Sequence, residues 1–448
     1  MTDTFVVIGG DAAGMSAASK AKRENPDLDV IVFEKGDWVS YAACGMPYYV
    51  KGDVDDLDDL VTITADEFRD ERDVDLRTGA EVVDIDPEAQ TVTVETDTET
   101  YEQPYDDLLV ATGASAIEPP FEGLDLEGVF TIHDMDEADA IEEYVSERDL
   151  ETAAIVGGGY VGIEMAEALS ARGIDVDLYE MLPHVLQPFG EPVAEVVEDH
   201  LREQDVNLHL ETAVSGFVGD ERVDGVRLEE ETVPADVVIV GVGVAPNVDL
   251  AEAAGIELGP TGAVATDEYG RTNYENVFAA GDCAEARHVV TGEPDHVPLA
   301  LTANRAGRAI GQTITGDPTP TGDIAGTAIV KAFELGAART GLTDEERARE
   351  AGFEPISVTI SAETRAHYYP EGEELTVTLL ADRESGTLLG GSVVGREGAK
   401  RIDTVATALH AGMTVTELQN ADLAYAPPFS PVWDPVLTAA KVLSGKLE

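Results

Sequence analysis

Thr4-Phe5-Val6-Val7-Ile8-Gly9-Gly10-Asp11-Ala12-Ala13-Gly14 opens the chain with an apolar strand that runs straight into a glycine turn. Small residues then carry a helical pattern through Arg23, and a second apolar run, Val30 to Phe33, ends in Glu34. Strand, glycine turn, helix and strand predict a βαβ unit. A turn of this kind lets the backbone approach a pyrophosphate at a helix N-terminus. Glu34, 20 residues past Gly14, is placed to accept hydrogen bonds from ribose hydroxyls. Asp11 stands where the middle glycine of G-x-G-x-x-G belongs, so this stretch alone leaves an ordinary βα turn open.

A second copy starts at Ala153. An apolar strand meets Gly157-Gly158-Gly159-Tyr160-Val161-Gly162, a helix runs to Arg172, and a strand from Val176 to Tyr179 ends in Glu180. All three fingerprint glycines are present here. Glu180, 18 residues past Gly162, suits the free 2′-hydroxyl of NADH, and no arginine follows immediately to receive a 2′-phosphate. Two more apolar strands feed glycine turns, Leu108-Leu109-Val110-Ala111-Thr112-Gly113 and Val277-Phe278-Ala279-Ala280-Gly281-Asp282.

At about 150 residues per domain, the 448 residues suggest three domains, and 43% hydrophobic residues supply their cores. The formal net charge of −62 argues against nucleic acid or an anionic membrane as a partner. That charge is spread over segments with strong apolar periodicity, which is unlike a disordered tail. Eight lysines stand against twenty arginines. A cytosol of molar salt explains such self-repulsion, because the Debye length there falls to about 3 Å. No run of 18 apolar residues and no signal-like N-terminus occurs, so a cytoplasmic protein is expected. Cys44 and Cys283 are the only cysteines; they make no disulfide framework and no metal spacing, and any cysteine chemistry would be catalytic.

The four motifs, in this order, resemble the two-dinucleotide-binding flavoproteins of the pyridine nucleotide-disulfide oxidoreductase family, over essentially the whole chain. The resemblance implies an α/β fold of two Rossmann-like, three-layer dinucleotide-binding domains followed by a C-terminal α+β dimerisation domain. The FAD domain would comprise 1–115 and 246–322, the NAD(P)H domain 116–245 and the dimerisation domain 323–448. It further implies FAD in the first site, NADH or NADPH in the second, and a homodimer. Cofactor-binding positions carried over are Gly9, Gly10, Ala12, Gly14, Glu34, Lys35, Val83, Ala111, Thr112, Gly113, Gly157, Gly159, Tyr160, Val161, Gly162, Glu164, Glu180, Gly243, Asp282, Leu299 and Ala300. Asp282 would hold the ribityl chain, and the backbone of Leu299 and Ala300 would face reduced flavin at a helix N-terminus.

Cys44 lies in Ser40-Tyr41-Ala42-Ala43-Cys44-Gly45-Met46-Pro47-Tyr48-Tyr49. Glycine and proline there suit a turn into a helix, whose N-terminal N–H groups are expected to favour the thiolate. Dithiol members of the family place a second cysteine five residues on, where Tyr49 stands, so a local disulfide is impossible. Cys283 is expected to pack. One working thiol leaves a mixed disulfide or a sulfenic acid as the oxidised state. Sulfenate-using members carry a histidine where Ala12 stands.

The chain resembles coenzyme A-disulfide reductases more closely, in Lys331 and in the motifs Ala366-His367-Tyr368-Tyr369-Pro370 and Asp422-Leu423-Ala424-Tyr425. In such enzymes residues matching Tyr368 and Tyr425 reach the cysteine of the other subunit, as acid or thiolate stabiliser. Matching positions for coenzyme A are Ser16, Lys20, Arg23, Ser40, Arg72, Asn304 and Arg308, with Ala43 departing from an asparagine common in relatives. His133, His184, His200, His209, His288, His296 and His410 show no ligand spacing and receive no role. The expected activity is NAD(P)H-driven reduction of coenzyme A disulfide through a Cys44–S–S–CoA adduct. An NADH oxidase using a Cys44 sulfenate, or a polysulfide or other small-disulfide reductase, stays open. A redox-responsive interaction protein without turnover is a further reading, opposed by Cys44 and the tyrosine motifs.

The charge balance carries a first prediction. The protein melts at a lower temperature in dilute buffer than in concentrated KCl, and equal melting points would remove the salt-adapted reading.

Overall fold

A computed structural model describes residues 3–447. The first glycine-turn unit builds a five-stranded parallel sheet in the order Val277–Ala279, Asp107–Val110, Thr4–Ile8, Asp29–Phe33, Asp75–Arg77. Its strands read as unbroken apolar runs because both faces are covered, and Val6, Val7, Leu108 and Leu109 are fully buried. Helices cover one face. A three-stranded antiparallel meander, Ala80–Asp86, Thr91–Thr96 and Thr100–Pro104, covers the other, giving three layers.

Helix Ala12–Glu24 lies against helix Ala300–Thr313 almost backbone to backbone. A Cβ on Gly307 would stand 2.0 Å from the Ala13 carbonyl oxygen, and one on Gly311 2.4 Å from that of Ala17. Small residues along both helices are therefore a packing requirement.

The second unit repeats the plan. Its parallel sheet runs Asn207–His209, Asp175–Tyr179, Thr152–Val156, Val237–Val240, Val129–Phe130. A second meander, Gly216–Gly219, Val223–Arg227 and Thr232–Pro234, packs on one side. The chain crosses between the two sheets on an antiparallel ribbon, Ala114–Ala116 paired with Val244–Pro246. Asn247 clasps that crossing: its backbone N–H donates to Gly113 O at 2.9 Å and its Nδ2 to Thr112 O at 2.9 Å.

The C-terminal part is a five-stranded antiparallel sheet ordered Ala328–Ala332, Leu335–Gly341, Leu388–Gly395, Glu374–Asp382, Pro355–Glu363. Helices Ile402–His410 and Pro435–Leu447 complete its core. Among the described residues, no helix is long and apolar enough to cross a membrane.

Gly9 and Gly157 both adopt φ +109°, and a Cβ on Gly9 would meet the Ala111 carbonyl oxygen at 2.1 Å. Gly9→Ala adds a left-handed strain of about 1–2 kcal/mol to an overpacking cost of about 1–3 kcal/mol. Denaturant unfolding of the apoprotein is expected to show that loss, and an unchanged midpoint contradicts the close approach.

Candidate active site

Both glycine turns are built the same way down to single hydrogen bonds. Glu34 accepts from Gly10 N–H at 2.8 Å and from Gly36 N–H at 2.8 Å. Glu180 accepts from Gly158 N–H at 2.8 Å and from Leu182 N–H at 2.8 Å. Neither following helix, Ala12–Glu24 or Tyr160–Ala171, carries an acid in its first turn or a side chain capping its start. Their N–H groups and positive dipole ends thus face the open carboxyl ends of the strands. A Cβ on Gly14 would sit 2.0 Å from Gly9 O, and one on Gly162 1.9 Å from Gly157 O. These cradles fit dinucleotide phosphates, with a carboxylate fixed at the ribose position.

The other expected cofactor positions cluster around these turns. Ala111 lies over Gly9, while Thr112 and Gly113 meet Asn247. Lys35 and Val83 are exposed at the margin where the first meander meets the end of Asp29–Phe33, through Ala80 N–H to Glu34 O at 3.0 Å. Gly243, at φ +115°, lies just past strand Val237–Val240, close to the Gly157 turn through Gly241. Leu299 precedes helix Ala300–Thr313, which again lacks an acid in its first turn.

Asp11, which broke the motif, has a structural use. Its Oδ1 accepts from Tyr41 N–H at 3.2 Å, and Ser40 N–H donates to Gly10 O at 3.0 Å. The glycine turn is thereby strapped to the segment that carries Cys44. Burial, aided by Glu34 and Asp282, pushes the Asp11 carboxyl up to about 6. Asp282 is raised by burial and pulled back by His133 and His296. His296 also approaches the Asp282 carbonyl oxygen at 2.7 Å. Neither histidine was legible in sequence, since each reaches Asp282 from a distant segment.

Cys44 occupies a single 3-10 turn, Ala43–Gly45, ahead of helix Met46–Lys51, and is open to solvent. The expected lowering of its thiol by a helix start does not prevail. Although the residue keeps exposed surface, crowding of the thiol by neighbouring atoms raises it first, and the carboxylates of Glu164 and Asp282 raise it further. The six-residue helix offers only a short dipole against those two charges.

Glu164 is the partner that sequence placed correctly on the second helix but without its neighbours. Tyr48 Oη donates to Glu164 Oε1 at 2.9 Å, joining the Cys44 segment to the second glycine-turn helix. Burial lifts Glu164 to about 7, opposed by that hydrogen bond and by Lys331, and assisted by Glu167. Tyr49, at the absent second-cysteine position, is buried and donates to Asp139 at 2.9 Å. Cys283 is wholly buried against Val110 O and Ala280 O.

Tyr368 and Tyr425 form one exposed pair on the C-terminal sheet domain, Oη to Oη 3.2 Å. That bond raises the Tyr425 phenol. Ser16 Oγ donates to Asn304 Oδ1 at 2.6 Å, joining two expected substrate positions across the packed helices. Arg72 bonds Ser19 Oγ at 3.3 Å and lies over the Phe68 ring, while Arg23 and Arg308 are exposed. Lys20 departs from expectation: it is buried and paired with Glu24, one helical turn away. Among the described residues no His, Cys, Asp and Glu cluster could hold a metal.

Two glycine cradles that converge on one accessible thiol define a dinucleotide-dependent redox enzyme. Residues 3–307 match the pyridine nucleotide-disulphide oxidoreductase family and residues 327–435 that family's dimerisation domain. The NAD(P)H coenzyme A polysulfide/persulfide reductase of Pyrococcus horikoshii is 42% identical over 444 residues, 99% of each chain. The coenzyme A disulfide reductase of Staphylococcus haemolyticus is 31% identical, covering 95% of this chain and 96% of its own. The solved NAD-dependent persulfide reductase from A. fulgidus superimposes with a TM-score of 0.96 at 40% identity, over 99% of this chain and 83% of that one. The chain belongs to the pyridine nucleotide-disulphide oxidoreductase family. It is an FAD-dependent oxidoreductase acting on sulfur with NAD(P)H as electron donor.

Because the Glu164 charge opposes ionisation of Cys44, Glu164→Gln lowers the thiol and enlarges its thiolate fraction. Alkylation of Cys44 by iodoacetamide, followed by mass, is expected to speed up several-fold at neutral pH; a slower reaction would reverse the sign argued here.

Proposed function

We propose that this protein is an NAD(P)H:disulfide reductase that acts on coenzyme A disulfide through a Cys44–S–S–CoA adduct. The observation that carries the reading is the place of Cys44. Asp11 and Tyr41 strap its segment to the first cradle, and Tyr48 bonds it to Glu164 beside the second. FAD would lie along Gly9 to Gly14, Glu34, Ala111 to Gly113, Asp282 and Leu299-Ala300. The nicotinamide dinucleotide would lie along Gly157 to Gly162, Glu164, Glu180 and Gly243. Held by two backbone N–H groups, Glu180 stands at the ribose position and leans toward NADH over NADPH. When bound, the cofactors together supply a pair of electrons at the Cys44 sulfur.

Cys44 Sγ, as thiolate, attacks one sulfur of the substrate; the substrate S–S bond breaks, a Cys44–S bond forms, and one coenzyme A leaves as thiolate. Two-electron reduction of the adduct returns the Cys44 thiolate and releases the second coenzyme A. Each departing thiolate, with a pKa near about 8.5 for a cysteine-like group, takes up a proton. In a homodimer, Tyr368 of the partner subunit and Tyr425 of the partner subunit supply that proton and steady the sulfur. Exposed Phe429, Val432 and Trp433 beside the tyrosine segment support a dimer face there. Arg23, Arg72 and Arg308, with Ser16, Ser40 and Asn304, would meet the coenzyme A phosphates, Lys20 acting only through Glu24.

A second reading, reduction of a polysulfide or persulfide, is supported by the persulfide reductases, which are more similar to this chain than the disulfide reductase is. The oxidase reading lacks the histidine that peroxide chemistry uses, Ala12 standing there. The acidic surface fits a salt-rich cytosol.

Cys44→Ser is expected to retain FAD and lose disulfide reduction, and full turnover by that variant would refute the mechanism. Mass analysis of anaerobically purified protein separates the acceptors: added coenzyme A supports the first reading, sulfur atoms the second and one oxygen the oxidase. NADH consumption under nitrogen, with coenzyme A disulfide present, is required by the first.

A further inference from the structure

Glu167 stands one turn beyond Glu164 on helix Tyr160–Ala171 and is 6% exposed. Its Oε1 lies 3.1 Å from Lys51 Nζ and also pairs with Lys331 Nζ, while its Oε2 accepts from Phe333 N–H at 2.8 Å. These partners belong to separate parts of the chain. Lys51 closes the helix that follows Cys44, and Lys331 lies on strand Ala328–Ala332 of the C-terminal sheet. Phe333 holds φ +52°, a left-handed conformation that a bulky residue keeps only where its surroundings impose it. One buried carboxylate thus gathers two ammonium groups, that of Lys331 still partly exposed, and a strained backbone N–H at the junction of three segments.

We propose that Glu167 is a positioning residue of the electron-transfer site, its carboxylate fixing the Cys44 helix and the C-terminal sheet against the helix that carries Glu164. The inference rests on the proposed function in treating Glu164 and Cys44 as the working pair. The C-terminal domain that Lys331 anchors also bears Tyr368 and Tyr425, so the same contact sets where that tyrosine pair is presented. Removing a cationic partner leaves the buried Glu167 carboxylate less compensated, and the pair with Lys51 is screened less by salt than the pair with the more exposed Lys331.

Glu164 reports on the cluster. Facing it are Tyr48 and Cys44 from the Cys44 segment, Glu167 from its own helix and Lys331 from the C-terminal strand. Arg339, packed at the start of this helix, is engaged with Tyr160 Oη at 3.2 Å, and Lys51 with Asp53 at 2.7 Å as well as Glu167. The Glu167 charge opposes ionisation of Glu164 and the Lys331 charge favours it.

The test is an infrared pH titration of the Glu164 carboxyl in FAD-loaded enzyme, the band assigned by its absence in Glu164→Gln. Glu167→Gln is expected to raise the Glu164 proton dissociation constant about threefold or more, and Lys331→Met to lower it by a similar factor. A role limited to stability would give no such opposite shifts. Unmoved midpoints, or shifts in the same direction, overturn the proposal. Glu167→Asp should bring the midpoint back toward wild type. If Glu167→Gln fails to fold, Lys331→Met decides alone, because an unmoved or lowered midpoint there is equally fatal. Failure of the Cys44 mechanism would show as turnover by Cys44→Ser and would leave this titration unaltered, so the two can fail separately.

Discussion

Contact between backbones, with no side chain between them, is the constraint on which the other features depend. Gly14 closes on the Gly9 carbonyl, Gly162 on the Gly157 carbonyl, and Gly307 and Gly311 on the first helix. Each approach tolerates no Cβ, and at the two glycine turns the helix starts carry neither a capping nor an acidic side chain. Bare N–H groups at a positive dipole end bind phosphate without any lysine or arginine. In a chain with 90 acids against 28 bases, that is a consequential solution. Anionic cofactors can be held by dipoles that the surrounding surface charge cannot neutralise.

The reacting sulfur meets the opposite situation. Cys44 is partly desolvated and faces the charges of Glu164 and Asp282, and its thiol is raised accordingly. Thiolate chemistry therefore has to be favoured by what arrives in the cleft. On the proposed reading, a nicotinamide dinucleotide held along the second glycine turn would supply positive charge when oxidised, and Tyr368 and Tyr425, an exposed hydroxyl pair, would supply hydrogen-bond donors to a second subunit. A thiol that ionises readily only in the assembled site is protected from stray oxidation when the site is open. Glu164 is governed by the same surroundings: burial and the Glu167 charge raise its carboxyl, while the Tyr48 hydrogen bond and Lys331 oppose that rise.

The legible part of the molecule was local. Strand–turn–helix order and the paired Glu34 and Glu180 follow from short-range pattern, and the structure places them accordingly. Asp11 was read as a defect because its partner, the Tyr41 N–H, lies 30 residues away. Tyr48 sat inside the quoted cysteine motif, but its hydroxyl matters only through Glu164, 116 residues on. Lys20 is engaged by a nearer partner: the Lys20–Glu24 spacing is itself an i,i+4 ion-pair signal, which competes with an external phosphate for the same ammonium.

Salt divides these charges into two classes. Surface acids, separated by more than the few ångströms that molar salt leaves unscreened, contribute little to fold energetics under such conditions. Groups partly or wholly withdrawn from water, Asp11, Asp282, Glu164 and Glu167, are screened much less than these surface acids. A chain can therefore accumulate acids outside while its interior electrostatics stay tuned to a few named partners. The charges whose neighbours are fixed by packing are the ones salt leaves in force, and through Asp11–Tyr41 and Tyr48–Glu164 the Cys44 segment is bonded to both the first glycine turn and the second helix.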